Sequence, residues 1–312
     1  MKIFKKLAGS ILLFSGLVGL TSISPRITKA EETSTATCAT SGSLSYDDND
    51  FTSRYGDGDS TAGTEGSDGM CYGTPDKYHI TIYEMGICTE APVQSSLSTV
   101  SDTATDGFAT TDFDTIDKSS CTVTTSGSTS GDLAGSSSFN LTSGARPTAG
   151  EYTHAYIELG NDFVIKGKYA FTDGSTTTTY YSNGTESGST NVTRTTGSDY
   201  TAEEFTETLT GFGGGDECVH VGREQFTGGS NNGWLTAVVT DGTTVQTSCG
   251  SSVSRLFGMF KPDTAFTVTD SVSGIEVSIT VTNSGMSVIG DGGGGIDQLG
   301  SGPFKAQISF IE

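Results

Sequence analysis

The chain has 312 residues, of which 33% are hydrophobic and 43 are glycine. Its formal net charge is −21, from 37 acidic and 16 basic residues. A surplus of that sign repels phosphate backbones and anionic headgroups, which argues against nucleic acid as a partner and against electrostatic attachment to a bilayer. So few aliphatic side chains build thin cores, in which only alternate residues point inward.

Residues 1–30 divide into a basic stretch (Lys2, Lys5, Lys6), an apolar run from Leu7 to Leu20 and a polar tail ending Thr28-Lys29-Ala30. That is the layout of a secretory signal peptide, with cleavage expected near Ala30. About fourteen apolar residues fall short of the roughly 20 that a spanning helix needs. No later segment is apolar enough to cross, so no transmembrane segment is expected after cleavage. Cleavage removes Lys2, Lys5, Lys6, Arg26 and Lys29 and no acidic residue, which takes the charge from −21 to about −26.

All six cysteines (Cys38, Cys71, Cys88, Cys121, Cys218, Cys249) lie behind the leader. An even set in an exported chain reads as three disulfides, with fifteen pairings open. Sequential pairing is the expectation, because it closes loops with separations of 33, 33 and 31. A zinc site is the rival reading, but there is no C-x-x-C pair, and Cys218-Val219-His220 stands alone as a short cluster.

Residues 31–72 are polar, acidic and poor in aliphatics, and read as an extended N-terminal arm pinned at Cys38 and Cys71. Strand signals then begin. Lys77 to Cys88 (KYHITIYEMGIC) is dense in β-branched and aromatic residues after a Gly73-Thr74-Pro75-Asp76 turn. Tyr152 to Leu159 and Asp162 to Phe171 both alternate, and their junction Gly160-Asn161-Asp162 predicts a hairpin. Thr178 to Tyr181 is a further short strand. Thr201-Ala202-Glu203-Glu204 has the form of a capping box, and Phe205 and Leu209 follow at i, i+4, so a short helix is expected over residues 202–209.

The glycine-rich run Gly211 to Gly215 then marks a boundary. Beyond it, strands are expected at Gly233 to Thr240, Arg255 to Phe260, Ala265 to Thr269, Ile275 to Val281 and Phe304 to Phe310. The last two alternate without error, the pattern of an antiparallel sheet with one buried face. The expected fold is therefore all-β, a jelly-roll-like antiparallel β-sandwich with one short helix. It would comprise a leader (1–30), an arm (31–72), a β-sandwich domain (73–210), and a second β module or continuation of the same sandwich (211–312).

Candidate sites are sparse. Gly292 to Gly300 fits the G-G-x-G-x-D-x-U-x nonapeptide of calcium-binding β-rolls. A single copy lacks the stacked neighbour that completes such a site, so an ordinary loop between the two final strands competes with it. The calcium candidates are Asp297 in this run and Asp291 just before it, and Asp57 and Asp59 in the arm, where an ordinary acidic loop is the alternative. No other cofactor is implied. Nucleophilic catalysis would have to draw on His79, His154 or His220, with no G-x-S-x-G elbow to position a serine. Glu151, Glu158, Glu203, Glu204, Glu207 and Glu224 could supply a glycosidase carboxylate pair. Trp234 is expected in the core. Three N-x-[ST] sequons occur, at Asn140, Asn183 and Asn191.

Tyr72 to Cys88 (YGTPDKYHITIYEMGIC), with Ser119-Ser120-Cys121 and Gly150 to Tyr156 (GEYTHAY), resembles uncharacterised secreted β-rich surface proteins of marine bacteria. The resemblance implies an exported surface protein and carries no catalytic residues across. The reading from sequence is a secreted structural protein of the cell surface or extracellular matrix, not an enzyme, and a candidate self-assembling filament subunit. In that reading the strand at Phe304 to Phe310 pairs within its own domain or adds to a neighbour's sheet edge. An extracellular adhesin or glycan-binding module, with a surface glycan or protein as partner, is the first alternative. A secreted carboxylate-dependent hydrolase is the second.

Overall fold

The computed structural model describes residues 26–28, 38, 41–42, 70–94, 113–134, 139–141, 143–186, 190–197, 200–212, 220–226, 232–290, 296–302 and 304–312. Among the described residues the chain is all-β, with no helix. Its longest strand, β4 (Lys77–Cys88), spans the twelve residues expected from sequence. Tyr78, Ile80 and Ile82 point into the main core, each at most 1% exposed. Burying an isoleucine side chain contributes about 1.5–3 kcal/mol, so this one strand supplies much of the local stability.

Strand β4 is the axis of an eight-stranded sheet. Along one of its edges runs β7 (Cys121–Asp132). Along the other run β10 (His154–Gly160) and then β11 (Asp162–Lys166), both antiparallel to it. The sheet continues from β11 to β15 (Phe205–Thr208), and from β10 through β18 (Arg255–Pro262) and β17 (Gly233–Thr240) to β16 (Val221–Phe226). It thus draws strands from both sides of the Gly211 to Gly215 run.

Two local expectations are corrected here. The segments flanking Gly160-Asn161-Asp162 do not pair with each other as a hairpin. They lie end to end along β4, with Leu159 opposite Ile82 and Val164 opposite His79. The Asn161 side chain fills the step between them, donating to the Leu209 carbonyl at 3.2 Å and the Val253 carbonyl at 3.1 Å. That amide joins the ends of the chain segments that branch away from β11 and β10. The expected helix over residues 202–209 is also absent, because Phe205–Thr208 pairs with β11 as an antiparallel strand. An open edge on β11 offers ladder bonds and burial of Phe205, which outweigh a capping-box propensity of about 1 kcal/mol.

The remaining strands form smaller sheets. One has the order β23 (Lys305–Ile311), β20 (Gly274–Thr280), β1 (Arg26–Thr28), β8 (Phe139–Asn140). A second has the order β14 (Val192–Thr195), β13 (Thr176–Ser182), β12 (Lys168–Asp173), β2 (Ser41–Gly42). A third runs β22 (Ile296–Ser301), β21 (Met286–Gly290), β3 (Met70–Gly73). Two-stranded ribbons join β19 (Phe266–Val268) to β9 (Gly150–Tyr152), and β5 (Val93–Gln94) to β6 (Thr115–Ile116).

The alternation expected at Phe163, Ile165, Tyr169 and Phe171 is buried in the main core, although the strand breaks at Gly167 between β11 and β12. A Cβ at Gly167 would collide with the Met286 sulfur, so glycine permits this close crossing. Ile275, Val277, Ile279 and Val281 also alternate into the core as expected.

Disulfides join Cys38 to Cys71 and Cys88 to Cys121, both sequential. Cys249 is disulfide-bonded as well, and Cys218 lies outside the described residues. No helix among the described residues is long and apolar enough to cross a membrane.

Candidate functional site

The far face of the central sheet carries a second, smaller hydrophobic cluster. It exists because β4 changes phase. The pairing of β4 shifts register at Tyr83, where β4 carries one residue more than β10 and one fewer than β7. Core-facing positions are Ile80 and Ile82 before it, and Met85 and Ile87 after it. Glu84 and Cys88 consequently turn to the far face. Bulges re-aim side chains in this way and recur beside functional sites. Gly86 completes the arrangement: a Cβ there would strike the Tyr156 ring, which lies over β4.

Residues 89–94 and 113–120, the described parts of the chain between Cys88 and Cys121, lie over this face as a flap. Its ends are joined by the disulfide, with Cα atoms 4.0 Å apart, and by the Thr89 amide bonding to the Ser120 carbonyl at 3.1 Å. Val93 and Phe113 of the flap are buried against Tyr156, Val221, Val238, Phe257 and Met259 of the sheet. Tyr156 and Phe257 stack with ring centroids 5.1 Å apart.

At the rim of the cluster lies a set of linked ion pairs. Glu84 and Glu158 stand directly opposite each other on β4 and β10. Like charges in that position repel, so the pair requires a cation. Lys118 of the flap supplies it, 2.6 Å from Glu84 Oε1 and 3.8 Å from Glu158 Oε2. Tyr156 donates its hydroxyl to Glu84 Oε1 at 2.7 Å. Arg255 approaches Glu158 Oε1 at 3.8 Å, and its guanidinium lies 3.5 Å from the Tyr83 ring centroid. Burial pushes the Glu158 carboxyl above its ordinary range. The Glu84 charge adds to that shift, while Lys118 and Arg255 oppose it. Burial and the hydrogen bond to Glu84 likewise push the Tyr156 phenol up. Chemically the cluster is a clasp: one ammonium from the flap holds two strands of the sheet through a shared pair of carboxylates.

The residues singled out from sequence are dispersed. Glu158 alone of the expected carboxylates belongs to this cluster. Its partners Glu84, Lys118, Tyr156 and Arg255 were not anticipated, although a glutamate inside the apolar run KYHITIYEMGIC was a visible irregularity. Glu204 is exposed and pairs with Lys77 at 2.8 Å. Glu207 is partly buried, accepts the Ser301 amide and is held above the ordinary carboxylate range by burial. Glu151 sits on β9 and Glu203 bridges Asn183. Glu224 falls on β16, where it stands opposite Leu235.

The histidines are not brought together. His79 and His154 pair near opposite ends of β4. His220 is buried, with burial lowering its pKa and Asp114 opposing, and its Nε2 has no hydrogen-bond partner among the described residues. Trp234, expected in the core, is only partly buried on β17 and belongs to neither hydrophobic cluster. The Asn191 sequon is closed to glycosylation in the folded chain. Its amide is buried and exchanges two hydrogen bonds with the Leu299 backbone, at 2.7 and 2.8 Å.

Of the calcium candidates, Asp57, Asp59 and Asp291 lie outside the described residues. Asp297 is on β22, so the second half of the run expected as a loop is a strand paired with β21. No group of three or more metal-ligating side chains occurs among the described residues.

A different feature marks β20. Strand β23 pairs with one of its edges over seven residues, Gly274 to Thr280. On the other edge, Arg26, Ile27 and Thr28 run parallel opposite Glu276, Val277 and Ser278. These three residues belong to the segment expected to leave with the leader. Strand β8 is joined to this sheet through Arg26 and Ile27. No protein-family model, curated protein or solved structure matches the chain.

Proposed function

We propose that the chain is a secreted structural protein of the cell surface or extracellular matrix, used as a self-assembling subunit. The observation that best supports this reading is the clasp. Lys118 neutralises Glu84 and Glu158 together, and Tyr156 occupies an acceptor site of Glu84. A glycosidase pair needs one carboxyl free to give a proton and the other free to attack or to activate water. Here both are committed to holding the flap on the sheet. Two sequential disulfides fix separate segments of the same body, as suits a protein outside the cytoplasm.

The finer fold within this proposal is a jelly-roll-like β-sandwich, in which the central sheet faces the β23–β20 sheet across the main core. The test is negative-stain microscopy of the chain beginning at Glu31 at high concentration. Regular filaments or sheets are expected, and a persistent monomer contradicts the reading.

A further inference from the structure

We infer that Asn183 is a site of self-modification, at which the Gly184 backbone nitrogen displaces the side-chain amide and converts the asparagine to aspartate and isoaspartate. The inference concerns the chemistry of the chain itself and does not rest on the assembly reading above.

Such a reaction needs a side-chain amide carbon held against the next backbone nitrogen, and a nitrogen that no side chain crowds. The chain has two Asn-Gly pairs, Asn183-Gly184 and Asn232-Gly233. Strand β13 ends at Ser182, so the first pair lies in the turn that follows it. Gly184 and Thr185 are exposed and Asn183 is half-buried. Gly184 has φ +81°, a left-handed conformation that glycine adopts without steric cost. The Thr185 amide donates to Asn183 Oδ1 at 3.1 Å. That bond closes a ring through the Gly184 peptide, which keeps the side chain folded over the backbone and polarises its carbonyl toward attack.

Asn232-Gly233 has the same atoms in a different setting. Gly233 is buried at the start of β17, in register with Phe226 on one side and Pro262 on the other. A Cβ there would collide with the Lys261 carbonyl. Bringing the Asn232 amide carbon onto that nitrogen requires opening the end of the ladder. Asp241-Gly242 is protected differently. The Asp241 carboxylate accepts the Thr243 and Thr244 amides at 2.8 Å each, and these bonds hold it ionised and therefore a poor electrophile.

The step balances without oxidant or cofactor. The Gly184 N–H proton goes to a base in solution, and the nitrogen bonds to Asn183 Cγ. The Cγ–Nδ2 bond breaks and Nδ2 leaves as ammonia. Water then opens the resulting succinimide. Addition at Cγ gives aspartate, and addition at the main-chain carbonyl gives isoaspartate, whose backbone runs through Cγ. Both products put a carboxylate where Asn183 bridges Glu203, and like charges on neighbouring strands repel. The Asn183 backbone amide also donates to the Asn191 carbonyl at 3.0 Å. The longer isoaspartate backbone is expected to loosen that contact, and with it the segment whose Asn191 side chain holds Leu299.

The test ages the chain beginning at Glu31, made without glycans, in neutral and in mildly alkaline buffer, both folded and in denaturant. Peptide mass spectrometry reads the replacement of the amide NH2 by OH, and a protein isoaspartyl methyltransferase reads isoaspartate. In the folded chain Asn183 is expected to convert about tenfold faster than Asn232, a barrier difference of ~1.4 kcal/mol. Alkaline buffer should speed it, because the attacking nitrogen must lose its proton. In denaturant the two pairs should convert at similar rates. Asn183→Gln, which would have to close a larger ring, should abolish the folded-state signal at this position. If Asn183 converts no faster than Asn232 in the folded chain, or converts only in denaturant, the site is overturned. Absence of conversion under every condition overturns it as well.

Discussion

The far face of the central sheet and the outer edge of β20 are both closed by short stretches of chain, and the two closures differ in kind. The flap over the sheet is held by a disulfide, a packed aromatic cluster and an ammonium shared between two carboxylates. Among the described residues, the cover on that edge of β20 is three parallel pairs made by Arg26–Thr28. One closure is covalent and packed; the other is three ladder pairs. The contrast separates a strongly tied closure from a lightly tied one.

The sealed side can be broken in graded steps. Replacing both Cys88 and Cys121 by alanine releases a loop with a sequence separation of 33 and is expected to cost about 3–4 kcal/mol in chemical denaturation. An unchanged denaturation midpoint would mean that packing alone holds the flap. Asn161→Ala leaves the carbonyls of Leu209 and Val253 without their amide donor and should cost about 1–3 kcal/mol. Lys118→Met removes the cation of the clasp. Because the lysine is about one-third exposed, the loss should be near 1 kcal/mol, and smaller in high salt.

The smallest effect concerns Glu207, whose carboxyl burial pushes above its ordinary range. A folded value above the unfolded one means that its contribution to stability is fully present below the ordinary carboxylate value. That contribution is lost as pH rises through the raised value. Glutamine keeps an acceptor for the Ser301 amide and carries no charge. Glu207→Gln should therefore match the parent at pH 4 and raise Tm by about 1–3 °C at pH 8. A lower Tm at pH 8 would contradict this account of the carboxylate.

How much of this was legible in the sequence depended on how local each feature is. Lys77–Cys88 and Gly233–Thr240 were bounded as observed, because composition and flanking turns mark a strand without reference to its partner. The sequential disulfides Cys38–Cys71 and Cys88–Cys121 followed from loop spacing. The misread elements were settled by distant chain. Gly160-Asn161-Asp162 looks like a hairpin turn until β4 provides an edge along which both flanking strands can lie. Phe205–Thr208 looks helical until β11 recruits it. The clasp was hidden for a related reason. Alternation puts Glu84 in line with Ile80 and Ile82, and only the bulge at Tyr83, visible in the pairing of three strands, turns it to the other face.

The comparison between the two closures can be examined most directly by hydrogen–deuterium exchange of two chains, one beginning at Glu31 and one beginning at Ser24, which keeps Arg26–Thr28. Peptides from Lys77–Cys88 should stay protected in both, while the peptide covering Gly274–Thr280 should exchange faster in the chain that lacks the three pairs to Arg26–Thr28. Equal protection of Gly274–Thr280 in the two chains would contradict the claim that these three pairs close the edge.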